Sequence, residues 1–127
     1  MDYDVVDKAE NAIKNLYRDK FGKITLTKSQ IRKFLTAVNM LKNKVDLYKV
    51  THDNTKELST ELAAEIKFLK VNILYQAGRE RAVEDFIKKT EIDKIISDIG
   101  NDIIEFEKFC KYVEALVAFH KYYGGKD

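Results

Sequence analysis

Residues 66–81 read IKFLKVNILYQAGRER, and this stretch decides the fold. At a helical period Leu62, Ile66, Leu69 and Ile73 fall on one apolar stripe. Phe68, Val71, Leu74 and Tyr75 cover most of the other directions, so the helix is apolar nearly all round, the pattern of a buried central element. No carboxylate occurs from residue 66 to residue 79, although 35% of the chain is charged; the charges there are Lys67, Lys70 and Arg79. Such side chains can bury their stems while their heads reach the surface. The helix is expected to loosen or end after about Gln76, since Gly78 costs about 1 kcal/mol against alanine inside a helix. That break would swing Arg79 outwards, with Arg81 following. The expectation is a core helix whose edge presents cations to an anion.

Outward from there, composition points the same way. The chain has 127 residues, no proline and five glycines, enough for one domain with a real core and few interior helix breakers. The fold class is all-α, a compact bundle of five to six helices in a single domain. Net charge is +2, but its distribution is uneven: residues 23–52 hold seven basic side chains and one acid, Asp46, while residues 84–114 hold nine acids and five lysines. A split of this kind suggests one face for a polyanion and another for a different surface. Cys110 is the single cysteine; it falls on an apolar helix face and reads as a small buried hydrophobe. The first ten residues, MDYDVVDKAE, place acids where a secretory leader needs cations. No run approaches the roughly 18–20 apolar residues of a membrane span, so a cytoplasmic protein without a membrane partner is expected.

In chain order, residues 5–20 carry Val5, Val6, Ala9, Ile13, Leu16 and Tyr17 at helical spacing and predict a first helix, with fraying before Val5. Residues 21–26 are β-like but contain Gly22 and read as a connector. Thr27 with Gln30 has the form of a capping box opening the second helix, whose stripe is Ile31, Phe34, Leu35, Val38, Leu41, Val45 and Tyr48. Asn54 or Thr55 is expected to start the third helix. A short fourth helix follows from Arg79 to Lys89, then a fifth from Glu91 to Ile99 closed by Gly100. The last, capped by Asn101 or Asp102, is expected to run to about Tyr122. The end, Gly124-Gly125-Lys126-Asp127, reads as flexible.

Catalytic motifs are missing. His52 and His120 are the only histidines, and the usual helical zinc and di-iron spacings do not occur. Gly124-Gly125-Lys126 lacks the rest of a phosphate loop. His120 as a catalytic base is outweighed by a half-buried or surface histidine in a terminal turn. No catalytic residue, cofactor or metal is expected. What the chain does offer is cations: Lys28, Arg32 and Lys33 in the first turns of helix two, with Thr27, Ser29 and the helix N-terminus as donors, and Lys67, Lys70, Arg79 and Arg81 around the central stretch. Backbone phosphates are neutralised by such side chains. Base stacking on Phe68 or Tyr75 is the weaker reading, because most of these aromatics are expected in the core.

The runs LTKSQIRKFLTAVNML, LKVNILYQAGRERAVEDFI and FCKYVEALVAFHKYYGGKD together resemble the small-subunit family of the type III-A CRISPR effector, the Csm complex. The resemblance covers about residues 25–127, leaving residues 1–24 as a variable N-terminal helix and connector. It implies a non-catalytic helical protein in antiviral defence, present in several copies that stack into an inner filament. Implied partners are guide RNA and target RNA, the backbone and large subunits, and further copies of itself. By position the resemblance points to Arg32, Lys33, Lys67, Lys70 and Arg79 as RNA-facing, with Lys121 a weaker candidate; Lys28 and Arg81 join them on charge. The competing reading is a helical protein–protein scaffold without direct RNA contact; a small RNA-processing enzyme is the third.

Overall fold

Thr27 determines where the longest helix begins. Its side chain accepts a hydrogen bond from the Gln30 backbone N–H, and the Gln30 side chain accepts from the Thr27 backbone N–H. This expected capping box satisfies two donors that a helix start otherwise leaves unpaired. The computed structural model describes residues 5–127; the expected fraying before Val5 lies outside them. Among the described residues there are six helices: α1 (Val5–Lys14), α2 (Lys28–Thr51), α3 (Thr60–Arg79), α4 (Arg81–Thr90), α5 (Ile92–Ile99) and α6 (Ile103–Tyr122). Two short strands, β1 (Ile24–Thr27) and β2 (Gly125–Lys126), pair in parallel. The all-α expectation holds, with this small sheet added.

One core joins all six helices. The last helix is its centre: Ile103, Phe106, Phe109, Tyr112, Val113 and Leu116 are each at most 1% exposed. Helix α1 packs on α6 and α4, α2 on α6 and α3, and α3 on α4 and α5. Cys110 is buried as expected, and burial pushes its thiol up to about 12.

Several boundaries differ from the expected ones. Helix α1 stops at Lys14, short of residue 20, because the chain turns back on itself: Asp19 accepts from the N–H groups of Phe21 and Lys23, and Thr25 N–H donates to the Tyr17 carbonyl. Residues 24–27 are a strand and not a plain connector, because the chain's other end lies beside them. Helix α3 begins at Thr60 with Ser59 as its cap. Asp53 and Asn54 take left-handed backbone (φ 54 for both), and the following segment runs extended beside the start of α6, through Leu58 N–H to Asn101 and Ile103 N–H to Lys56. The helix also runs on through Gly78 to Arg79. No break swings Arg79 outwards there; the chain bends one residue later, at extended Glu80, which caps α3 and opens α4 at Arg81.

The larger correction concerns the opening stretch. Only Leu62, Ile66, Leu69 and Ile73 are buried in α3. Phe68, Val71, Leu74 and Tyr75 are 42–63% exposed, because α2, α4 and α5 cover one side of the helix and none of the described residues covers the other.

Candidate nucleic-acid interface

Lys28, Ser29, Arg32, Lys33 and Thr36, with one acid, Asp127, line a shallow basin over the first turns of α2. Residues three and four apart share a helix face, so the basin follows directly from the helical register that Thr27 sets. Arg32 and Lys33 are exposed and make no ion pair among the described residues. Lys28 is half-buried and its Nζ stands 3.0 Å from an Asp127 carboxylate oxygen. That hydrogen bond, helped by the charges of Lys28 and Lys23, holds the Asp127 carboxyl below its ordinary value. No acid lies in the first turn of α2. The capping box takes up the backbone N–H groups of Thr27 and Gln30 and leaves the Thr27 hydroxyl hydrogen free to donate.

Lys33 also borders a deeper groove of about 280 Å³ between α2 and α3. Leu26, Ile31, Phe34, Leu69, Ile73 and Phe86 form its apolar interior, and Asn72, Tyr75, Gln76 and Glu80 stand along its α3 side. Tyr75 is 63% exposed, and the Arg79 guanidinium lies over its ring at 5.8 Å from the centroid. The basin and the groove therefore meet at Lys33. Lys28, Arg32 and Lys33 of α2 line them, while Arg79 of α3 lines neither and stands at the groove's edge over the Tyr75 ring.

The remaining cations named from the sequence lie elsewhere. Lys70 is half-buried and donates to Ser97 Oγ of α5 at 2.7 Å. Lys67 is exposed, about 80° round α3 from Tyr75 at 3.6 residues per turn. Arg81, at the start of α4, and Lys121, in the last turn of α6, are exposed and line neither opening. Residues that sequence reasoning passed over are Asn72 and Gln76, four apart on the α2 side of α3. They are the polar interruptions of an otherwise apolar run, and that was the available signal.

The expected acidic face is largely internally paired. Glu84 bridges Lys88, Asp85 Lys89, Glu91 Lys94, Glu105 Lys108 and Glu107 Lys49. His120 is not the half-buried or surface group expected but is 1% exposed, its Nε2 2.7 Å from the Leu26 carbonyl. A base sealed in this way has no access to a substrate. Among the described residues no three His, Cys, Asp or Glu side chains are grouped to hold a metal, and no helix is long and apolar enough to cross a membrane.

Comparison with known proteins adds the last observation. The family model described as Csm2 Type III-A matches residues 3–126, which includes most of the N-terminal segment in which no motif is recognisable. The chain is 43% identical to the CRISPR system Cms protein Csm2 of Streptococcus thermophilus over 127 residues, covering 99% of this chain and 96% of the relative. It is 40% identical to the protein of that name in Enterococcus italicus over 100 residues, 77% of this chain and 68% of the relative. With the Mycobacterium tuberculosis protein it shares 32% over 124 residues, 98% and 94% of the two chains.

Proposed function

The chain belongs to the Csm2 type III-A family, and we propose that it works as the non-catalytic small subunit of a type III-A CRISPR ribonucleoprotein. In this reading, copies of the chain stack into an inner filament beside the backbone and large subunits and touch the backbones of guide RNA and paired target RNA. The observation that carries it is the joined surface at Lys33, where Arg32 and Lys33, and Arg79 beside it over the Tyr75 ring, have no carboxylate partner among the described residues. Cations already paired within a fold have little left for phosphate, whereas these remain available. A guide's sequence is arbitrary, so a subunit repeated along it gains by reading phosphates and shape while base pairing reads sequence. Stacking into a filament requires two different complementary patches on each copy.

The test is the salt dependence of RNA binding, measured on the isolated chain and on the assembled complex. Replacing Arg32, Lys33 and Arg79 together by alanine should flatten the log–log salt slope by about 0.7–0.9 per lost phosphate contact, roughly 2–3 in all. An unchanged slope would sink the RNA-contact reading. The scaffold reading then takes its place, favoured by one observation, the exposed aliphatic pair Val71 and Leu74 on α3; it expects assembly to weaken on Val71→Ser and RNA affinity to ignore the cations.

A further inference from the structure

We propose that the groove between α2 and α3 receives one unstacked nucleobase of a bound RNA strand, its phosphate lying on the Lys33 side. The proposal rests on the RNA-contact reading above and extends it from backbone to base. Pockets for drug-sized ligands span about 300–1,000 Å³; at about 280 Å³ this groove is at the small end, scaled to a single ring system. Its apolar floor suits a flat heterocycle, and Tyr75 stands exposed at its edge with the Arg79 guanidinium over the ring. Unpaired bases are typically held by stacking on aromatic rings or guanidinium planes, with hydrogen bonds to their edges.

Edge-reading groups are present. The side-chain amides of Asn72 and Gln76 line the groove with no hydrogen-bond partner among the described residues. Each supplies both donors and an acceptor. Glu80 stands at the same end, one oxygen bonded by the Gln30 amide, and its other oxygen can accept from an exocyclic amine. An apolar side chain from a partner protein would cover these groups while answering none of them, which is costly. Val71 and Leu74 do not argue otherwise, since neither lines the groove; they lie about 40° and 100° further round α3 from Tyr75. Lys33 belongs to groove and basin alike, so a base in one leaves its phosphate within the other's cations.

The experiment titrates the full-length, nitrogen-15-labelled chain with adenosine monophosphate and, separately, with inorganic phosphate, following backbone and side-chain amide resonances. The expected result is that phosphate shifts only residues around Lys28–Lys33, while the nucleotide also shifts the Asn72 and Gln76 side-chain amides. Tyr75→Ala should erase that second set, and Tyr75→Phe should keep it. With single-stranded oligoadenylate, Tyr75→Ala should weaken binding on the order of tenfold at every salt concentration without changing the salt slope. Tyr75 is exposed, so the variant should fold. If nucleotide and phosphate give the same shifts, the base site is overturned while the phosphate reading stands; if neither perturbs the first turns of α2, both fall. Groove amides that shift with protein concentration alone would mark a protein interface and overturn the proposal as well.

Discussion

His120 shows how much one residue can be fixed by contacts that sequence spacing does not reveal. Its ring is buried against Leu26 and the chain's last residues, and burial lowers its pKa despite the hydrogen bond to the Leu26 carbonyl that raises it. The sign for stability follows. Above about 6.5, the ordinary value, the ring is neutral both folded and unfolded. As pH falls below that, the unfolded chain takes up a proton that the folded chain resists, so stability is full at neutral pH and declines under mild acid. Asp19 and Asp127, whose carboxyls are held below their ordinary value of 3.8, do not titrate in that window. Urea midpoints at pH 7.5 and 5.5 should therefore differ, with the lower at pH 5.5. His120→Gln, which can still donate to Leu26, should narrow the difference; an equal drop in the variant would assign the effect to other groups.

At the scale of elements, capping chemistry was legible for α2, α5 and α6 but not for α3, whose cap is Ser59 and not Asn54 or Thr55, and coverage was not legible. Thr27, Asp102 and Gly100 act where their residue types predict, because a cap is a local exchange between a side chain and the adjacent backbone. Whether Phe68 and Tyr75 are buried depends on which other helices lie alongside, and their hydrophobicity alone overstated it. The basic turn of α2 was legible in the same local way, whereas its meeting at Lys33 with a groove edged by Tyr75 required knowing that α2 and α3 lie side by side. Gly78 illustrates the difference. Read alone it looks like a helix end, yet the helix continues through it, and a methyl group there would meet nothing within 4 Å. Gly78→Ala should thus stabilise the isolated chain by about 0.5–1 kcal/mol, through helix propensity alone. A raised chemical-denaturation midpoint with an unchanged slope is the expected readout, and a lower midpoint would mean that the glycine relieves a constraint not visible in the helix.

For the molecule as a whole, the decisive feature is that residues 10–27 and 123–126 close on one another, which no local pattern announced. Gly22 and Gly124-Gly125 suggested a connector and a loose tail, but β1 and β2 pair, Lys126 bridges Asp19 at 3.1 Å, and Tyr123 donates to Glu10 at 2.6 Å. These ties span more than ninety residues, and they hold the strand from which α2 and its cations emerge. Gly125 is the tightest of the glycines: a Cβ there would overlap the His120 ring. Gly125→Ala must therefore displace either the ring, losing its bond to Leu26, or the strand, losing the pairing with β1. Overpacking of a well-filled interior costs typically 1–3 kcal/mol, so the melting temperature should fall by roughly 5–10 °C. Hydrogen exchange should speed up around residues 17–27 and 120–126 while the amides of α3 and α5 keep their protection. A variant with wild-type stability and exchange would show that the closure is not a stabilising feature of the fold; a loss spread evenly over all six helices would show that it is not local to the meeting of the two ends.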